Sequence, residues 1–161
     1  MKKTPAQRKK EMSFPLFLCL VAAACALFFL FVARPALVHG PSMENTLRPN
    51  QPVLVWQRGY APKNGDIVVT NNNNRYNTRL VKRIVAVEGQ TLAIKNSTVY
   101  VDGTPLDEPY LKEKTWLAED IEILIPQGAV FLMGDNRNES TDSRQAGVFP
   151  VSDITGKVVG Y

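Results

Sequence analysis

Ser42 stands in GPSMENTLRPN (40–50), among turn-forming residues that would present its hydroxyl to a neighbour. A serine attacks an acyl carbon at neutral pH only when an adjacent base takes its proton. His39, the one histidine of the chain, lies three positions upstream, too close for the base of an ordinary triad, and reads as a cleft or surface residue. A second candidate sits in RLVKRIVAV (79–87). Strand alternation places Leu80, Lys82, Ile84 and Ala86 on one face, so Lys82 points where an apolar side chain is expected. Such a lysine either snorkels its ammonium to water, guards a strand edge, or is buried and driven toward the neutral amine. A neutral lysine is a competent general base, which arginine is not, and serine–lysine pairs are a variant of the triad logic.

The elements that would carry these residues are short strands. VLVW (53–56), DIVVT (66–70), RLVKRIVAV (79–87), TLAI (91–94), TVYV (98–101), IEILI (121–125), AVFLM (129–133) and GKVVGY (156–161) have the required composition. Turn signals fall between them at 50–52, 63–65, 88–89 and 102–103, the last a hairpin signal. NNNNRYN (71–77) reads as a solvated hairpin loop without a function. Beyond the first 33 residues the only hint of a helix is a turn near Lys112 to Trp116. The expected fold class is therefore all-β, an antiparallel sheet domain tethered by one N-terminal helix.

The tether is FPLFLCLVAAACALFFLFVA (14–33), twenty residues without a charge. A helix of that length covers roughly 30 Å, one hydrocarbon core. It follows a basic tail with Lys2, Lys3, Arg8, Lys9 and Lys10 against Glu11, so the N-terminus is expected in the cytoplasm. The run is longer than the core of a cleaved secretory signal and leads into Arg34-Pro35, which favours an uncleaved anchor. The division is thus 1–12 basic tail, 13–33 transmembrane anchor and 34–161 extracytoplasmic β domain. From Arg34 onward 14 basic residues face 14 acidic ones. The net charge of +4 belongs to the tail, and the domain has no surplus to attract nucleic acid. Cys19 and Cys25 both lie in the anchor, so the outer domain has no disulfide, thiolate metal site or cysteine nucleophile. No metal or cofactor is expected.

Four blocks, in order, resemble those of the bacterial type I signal peptidases, membrane-anchored serine–lysine endopeptidases. SMENTL (42–47) is similar to the nucleophile segment, GDIVV (65–69) to the second block and VKRIVAVEG (81–89) to the lysine block. GDNRNESTDSRQAGV (134–148) resembles the last block, whose glycine, aspartate, arginine and serine spacing is the most specific of the four. The resemblance implies that Ser42 is the nucleophile and Lys82 the general base, with Ser140 hydrogen-bonding the lysine nitrogen. It implies the Ser42 backbone N–H as an oxyanion donor and an Asp142–Arg144 ion pair beside the site, Asp135 and Arg137 helping to hold the loop. Two departures stand out. Gly40 replaces a serine or threonine that gives some members a second oxyanion donor. Asn45 stands where proline is usual, which implies a somewhat looser loop.

The substrates so implied are signal peptides of exported preproteins, cut after small residues at Ala-x-Ala type sites. The peptide would add as a strand beside the Ser42 and Lys82 segments, with Val38, Met43, Leu47 and Val81 as candidate pocket walls. The implied setting is the bacterial plasma membrane, single-pass, near the secretion translocon, with the lipid bilayer as a partner. Lysine rather than histidine at 82 points to a bacterial member. The alternative is an inactive membrane-tethered β domain with a binding or structural role, which would be expected to have lost Ser42 or Lys82.

Overall fold

The computed structural model describes residues 5–111, 113 and 120–161. The first element is α1 (Pro5–Phe31), with Pro15 inside it. Phe14, Leu16, Phe17, Leu18, Leu20 and Leu27 on it are more than half exposed. Among the described residues no helix is long and apolar enough to cross a membrane. The helix stops at Phe31, and Ala33 is already paired with Trp56, one residue earlier than the sequence pattern places the domain.

Eleven strands follow among the described residues: β1 (Ala33–Leu37), β2 (Pro52–Trp56), β3 (Ile67–Thr70), β4 (Val81–Val87), β5 (Thr91–Lys95), β6 (Thr98–Val101), β7 (Thr104–Pro105), β8 (Ile121–Leu124), β9 (Ala129–Met133), β10 (Phe149–Pro150) and β11 (Ile154–Gly160). A one-turn helix, α2 (Ser143–Ala146), lies between β9 and β10. The strands form a seven-stranded sheet in the order β1-β2-β11-β3-β4-β9-β10 and a four-stranded sheet in the order β7-β6-β5-β8. All the pairings are antiparallel. The antiparallel β class is as expected, and the eight anticipated strands are present within a residue or two. β1, β7 and β10 were not legible, because Arg34, Pro35 and the two-residue pairs lack any alternating apolar pattern. The turn expected near Lys112 to Trp116 lies outside the described residues, apart from Glu113.

The larger sheet is covered on both faces. On one, Val53, Val55, Ile67, Val69 and Val158 pack with Val38, Met43 and Leu47. On the other, Val68, Ile84, Val130 and Leu132 pack with Ala146 and Phe149. The second sheet joins through Leu92, Ile94 and Val99, packed against Val85, Ala86 and Phe131. A register shift between Ile84 and Ala86 against β9 breaks the alternation of β4. Leu80, Ile84 and Val87 consequently share one core, whereas Ala86 joins the other, contrary to strict period-2 counting.

The connection between β3 and β4 holds NNNNRYN, and it is not wholly solvated. Asn74 is buried, its amide donating to the Thr70 hydroxyl and to the carbonyls of Asn71 and Thr78. That amide fastens the loop across its own mouth.

Candidate active site

Ser42 opens a compact turn. Leu47 N–H donates to Met43 O at 2.8 Å, and Glu44 N–H to Pro41 O at 2.9 Å. Met43 and Leu47, four apart, therefore point the same way, and both are essentially fully buried in the sheet core. Burying two such side chains is worth about 1.5–3 kcal/mol each, which sets the turn, and with it Ser42, on the sheet. The mouth of the loop is closed by Val38 N–H to Gln51 O at 3.0 Å and Asn50 N–H to Val38 O at 2.8 Å. Among the described residues nothing accepts from the Ser42 N–H.

Lys82 enters from β4, opposite Val68 of β3. It is 3 % exposed, and Nζ donates to Ser42 Oγ at 2.6 Å. Burial pushes its amine from 10.5 down to about 8, against the carboxylates of Asp142 and Asp135 and with the aid of the Arg144 charge. The snorkelling and edge-guard readings thus fail on burial: the lysine head lies inside, beside a hydroxyl. β9 pairs with β4 only from Arg83 onward, because the chain turns away after Met133.

The segment after β9 builds the wall behind this pair. Asp142 caps α2 with a capping box closed by Gln145. Its carboxylate accepts from Gly134 N–H at 3.0 Å, Ser140 Oγ at 2.7 Å, and Arg144 Nε and Nη2 at 2.9 and 3.0 Å. Burial works to raise its pKa, and the Arg144 guanidinium, the Gly134 N–H and the Ser140 hydroxyl more than reverse that, holding it below the usual carboxylate value. The Asp142–Arg144 pair stands as anticipated. Ser140 donates its hydroxyl proton to Asp142, two residues on, which leaves its oxygen free to accept.

Asp135 and Arg137 both hold the loop, with separate partners. Asp135 is fully buried and accepts from Arg83 Nε and Nη2 at 2.8 and 2.7 Å, and from the Thr46 hydroxyl. Arg137, equally buried, donates to Gly134 O and pairs with Glu108. Arg83, Thr46 and Glu108 were missed by the sequence reading. Arg83 had a signal, being a second cation in a buried strand; Thr46 and Glu108 had none. Asn136 clamps the Ser42 loop, its N–H on Ser42 O and its side-chain amide on Pro41 O. Gly134 is where these pieces converge. A Cβ there would collide with the Ser42 carbonyl and the Ser140 side chain, so only glycine admits the approach.

A cleft of about 280 Å³ opens onto Ser42 and Lys82, walled by Pro35, Ala36 and Leu37 of β1, by Leu80 and Val81, and by His39 and Arg79. Of the four residues expected as pocket walls, Val81 lines it. Val38, Met43 and Leu47 do not, since they are core residues beneath the turn. Their adjacency in sequence to Ser42 misled, because alternation sends Leu37 and His39 outward when Val38 points in. Larger concavities among the described residues, by Arg75 and Phe149, by Ala61 and Val151, and by Leu124 and Pro126, contain neither Ser42 nor Lys82.

The chain and its fold have known counterparts. Residues 11–161 match the family model described as signal peptidase, peptidase S26. The chain is 35% identical over 163 residues to a probable signal peptidase I-1 of Synechocystis, covering 95% of this chain and 82% of that one. It is 32% identical over 160 residues to signal peptidase I U of Bacillus subtilis, covering 91% and 84%. The crystal structure of a signal peptidase I from Enterococcus faecalis superposes with a TM-score of 0.55 at 26% identity, over 62% of this chain and 98% of that one. The chain belongs to the signal peptidase S26 family.

Proposed function

We propose that the chain is a signal peptidase I that removes N-terminal signal peptides from exported preproteins through an acyl-enzyme on Ser42. The observation that carries this reading is a buried lysine with Nζ 2.6 Å from a serine hydroxyl. An amine held near pH 8 is neutral in a useful fraction of molecules near neutral pH. Neutral Lys82 takes the Ser42 Oγ proton as Oγ attacks the scissile carbonyl carbon. The oxyanion that forms is met by the Ser42 N–H, which no acceptor among the described residues occupies. Gly40, with φ +78°, offers no side-chain donor, so any second donor is a backbone N–H or water. The tetrahedral centre collapses, the C–N bond breaks, and protonated Lys82 gives its proton to the leaving amine. The lysine then deprotonates a water that hydrolyses the ester. Asp142, itself neutralised by Arg144, positions the lysine electrostatically, and Ser140 holds that carboxylate.

The substrate lies extended in the cleft between β1 and residues 79–82. On the side away from β3, β4 has no strand partner at Lys82 among the described residues, since β9 begins pairing at Arg83. A peptide strand can add there by main-chain hydrogen bonds. The Ala36 and Val81 walls suit small side chains near the cut. The uncharged run Phe14–Ala33 and the exposed apolar side chains of α1 support a single-pass anchor in the bacterial plasma membrane, with the basic tail inside. Tethering enzyme and preprotein to one bilayer near the translocon raises their effective concentration. Retention of both Ser42 and Lys82 argues against an inactive domain.

The test is cleavage of a purified preprotein by the full chain in detergent. Wild type releases the mature protein after its small-residue site, and Ser42→Ala and Lys82→Ala do not. Near wild-type turnover by either variant refutes the assignment.

A further inference from the structure

Asn45 is the point where the chain leaves the proline usual in its family, and its backbone is left-handed, φ +86°. The proline ring holds φ near about −65°, so proline cannot occupy this turn as it stands. Asparagine tolerates the left-handed region because its short amide finds local partners. Here the partners are remote. Nδ2 donates to Tyr110 O at 3.0 Å and to Leu111 O at 3.3 Å. Far from loosening the loop, the residue ties it down.

The tie closes a circuit. Thr46, next in the chain, donates its hydroxyl to Asp135. Asp135 takes both the Nε and Nη2 hydrogens of Arg83, whose guanidinium lies 3.9 Å above the Tyr110 ring. Asn45, Tyr110, Arg83, Asp135 and Thr46 thus form a ring of contacts. One side is the turn that starts at Ser42, and the other is the residue after Lys82. The ring spans the same two segments as the Lys82–Ser42 contact, by a separate path.

We infer that Asn45 is a positioning residue for the reaction: its amide fixes the nucleophile turn against the Tyr110–Arg83 side by long-range hydrogen bonds. The inference rests on the assignment of Ser42 and Lys82 above. Both Asn45 bonds are exposed, so their loss changes the melting temperature little, whereas a small displacement of Ser42 from Lys82 acts on the chemical step. The effect belongs in kcat more than in KM.

The experiment uses the full chain in detergent, with kcat referred to acyl-enzyme sites counted by an acylating inhibitor. Asn45→Ala should lose about tenfold in kcat with little change in KM, and Asn45→Pro about a hundredfold, the scale of sub-ångström to ångström misplacement. Amide hydrogen exchange should quicken both at 43–47 and at 110–111. Asn96→Ala, which removes another left-handed asparagine (φ +50°) in the turn between β5 and β6, should change neither. Unchanged kcat per site in Asn45→Ala overturns the inference even if exchange quickens. So does unchanged exchange at 110–111, or wild-type activity in Asn45→Pro. A wild type that cuts no preprotein contradicts the function proposed above, and the exchange result at 110–111 then decides the tie on its own.

Discussion

Replacing Lys82 by methionine tests the buried amine without reference to any substrate. Lys82 titrates at about 8 in the folded chain and 10.5 when unfolded, the depression coming from burial. Between those values the unfolded chain holds a proton that the folded one has released, so stability rises with pH through that window. Below about 8 the folded protein carries the full cost of a buried ammonium. The whole window is worth about 3 kcal/mol, and about 2 kcal/mol of it falls between about pH 7 and about pH 9.5. Methionine fills a similar volume and does not titrate. The Lys82→Met protein should therefore be the more stable near neutral pH, and its advantage should shrink by about 2 kcal/mol by about pH 9.5. In melting temperature that is a convergence of about 4–8 °C for a chain of this size. Thermal melts of both full-length proteins in one detergent across that range measure it directly. A difference in melting temperature that stays constant with pH would mean that the ammonium is not disfavoured inside. The neutral-lysine mechanism would fall with it, whatever the activity of other variants.

Two further outcomes follow from the wall behind the dyad. Gly134→Ala forces a methyl into the Ser42 carbonyl and the Ser140 side chain, so cleavage should fall about a hundredfold, read as kcat on a preprotein; activity within twofold of wild type would show that the approach is not needed. Asp142→Asn removes a charge that raises the Lys82 pKa and leaves the Arg144 charge that lowers it. The rise of kcat/KM with pH should accordingly move to lower pH in that variant, besides any loss in rate. A rise at the same pH as wild type would leave Asp142 a purely structural part.

Local physics explains what was readable in the chain and what was not. Ile67–Thr70, Thr98–Val101 and Ala129–Met133 could be placed because apolar content and bounding turns are properties of neighbours in sequence. β1 could not, since it gains strand geometry only by pairing with β2. Lys82 stood out as a cation among apolar residues, yet its burial depends on a turn forty residues away. That Ser140 gives its proton to Asp142 could not be read locally, because a hydroxyl proton goes to whichever acceptor the fold puts nearest. Val38, Met43 and Leu47 were named for the cleft on adjacency, and the fold used them as the floor on which Ser42 stands.

By itself the sequence determined the side-chain types, their order and the β class, because those follow from composition, alternation and turn chemistry. Only the tertiary structure decided which charges meet. Asp135 takes Arg83 rather than Arg137, and Arg137 takes Glu108. It also decided how far Lys82 is desolvated, that β1 walls the cleft, and that Asn45 reaches Tyr110. Each of these depends on distances between residues remote along the chain, where burial multiplies an electrostatic preference that no local pattern records.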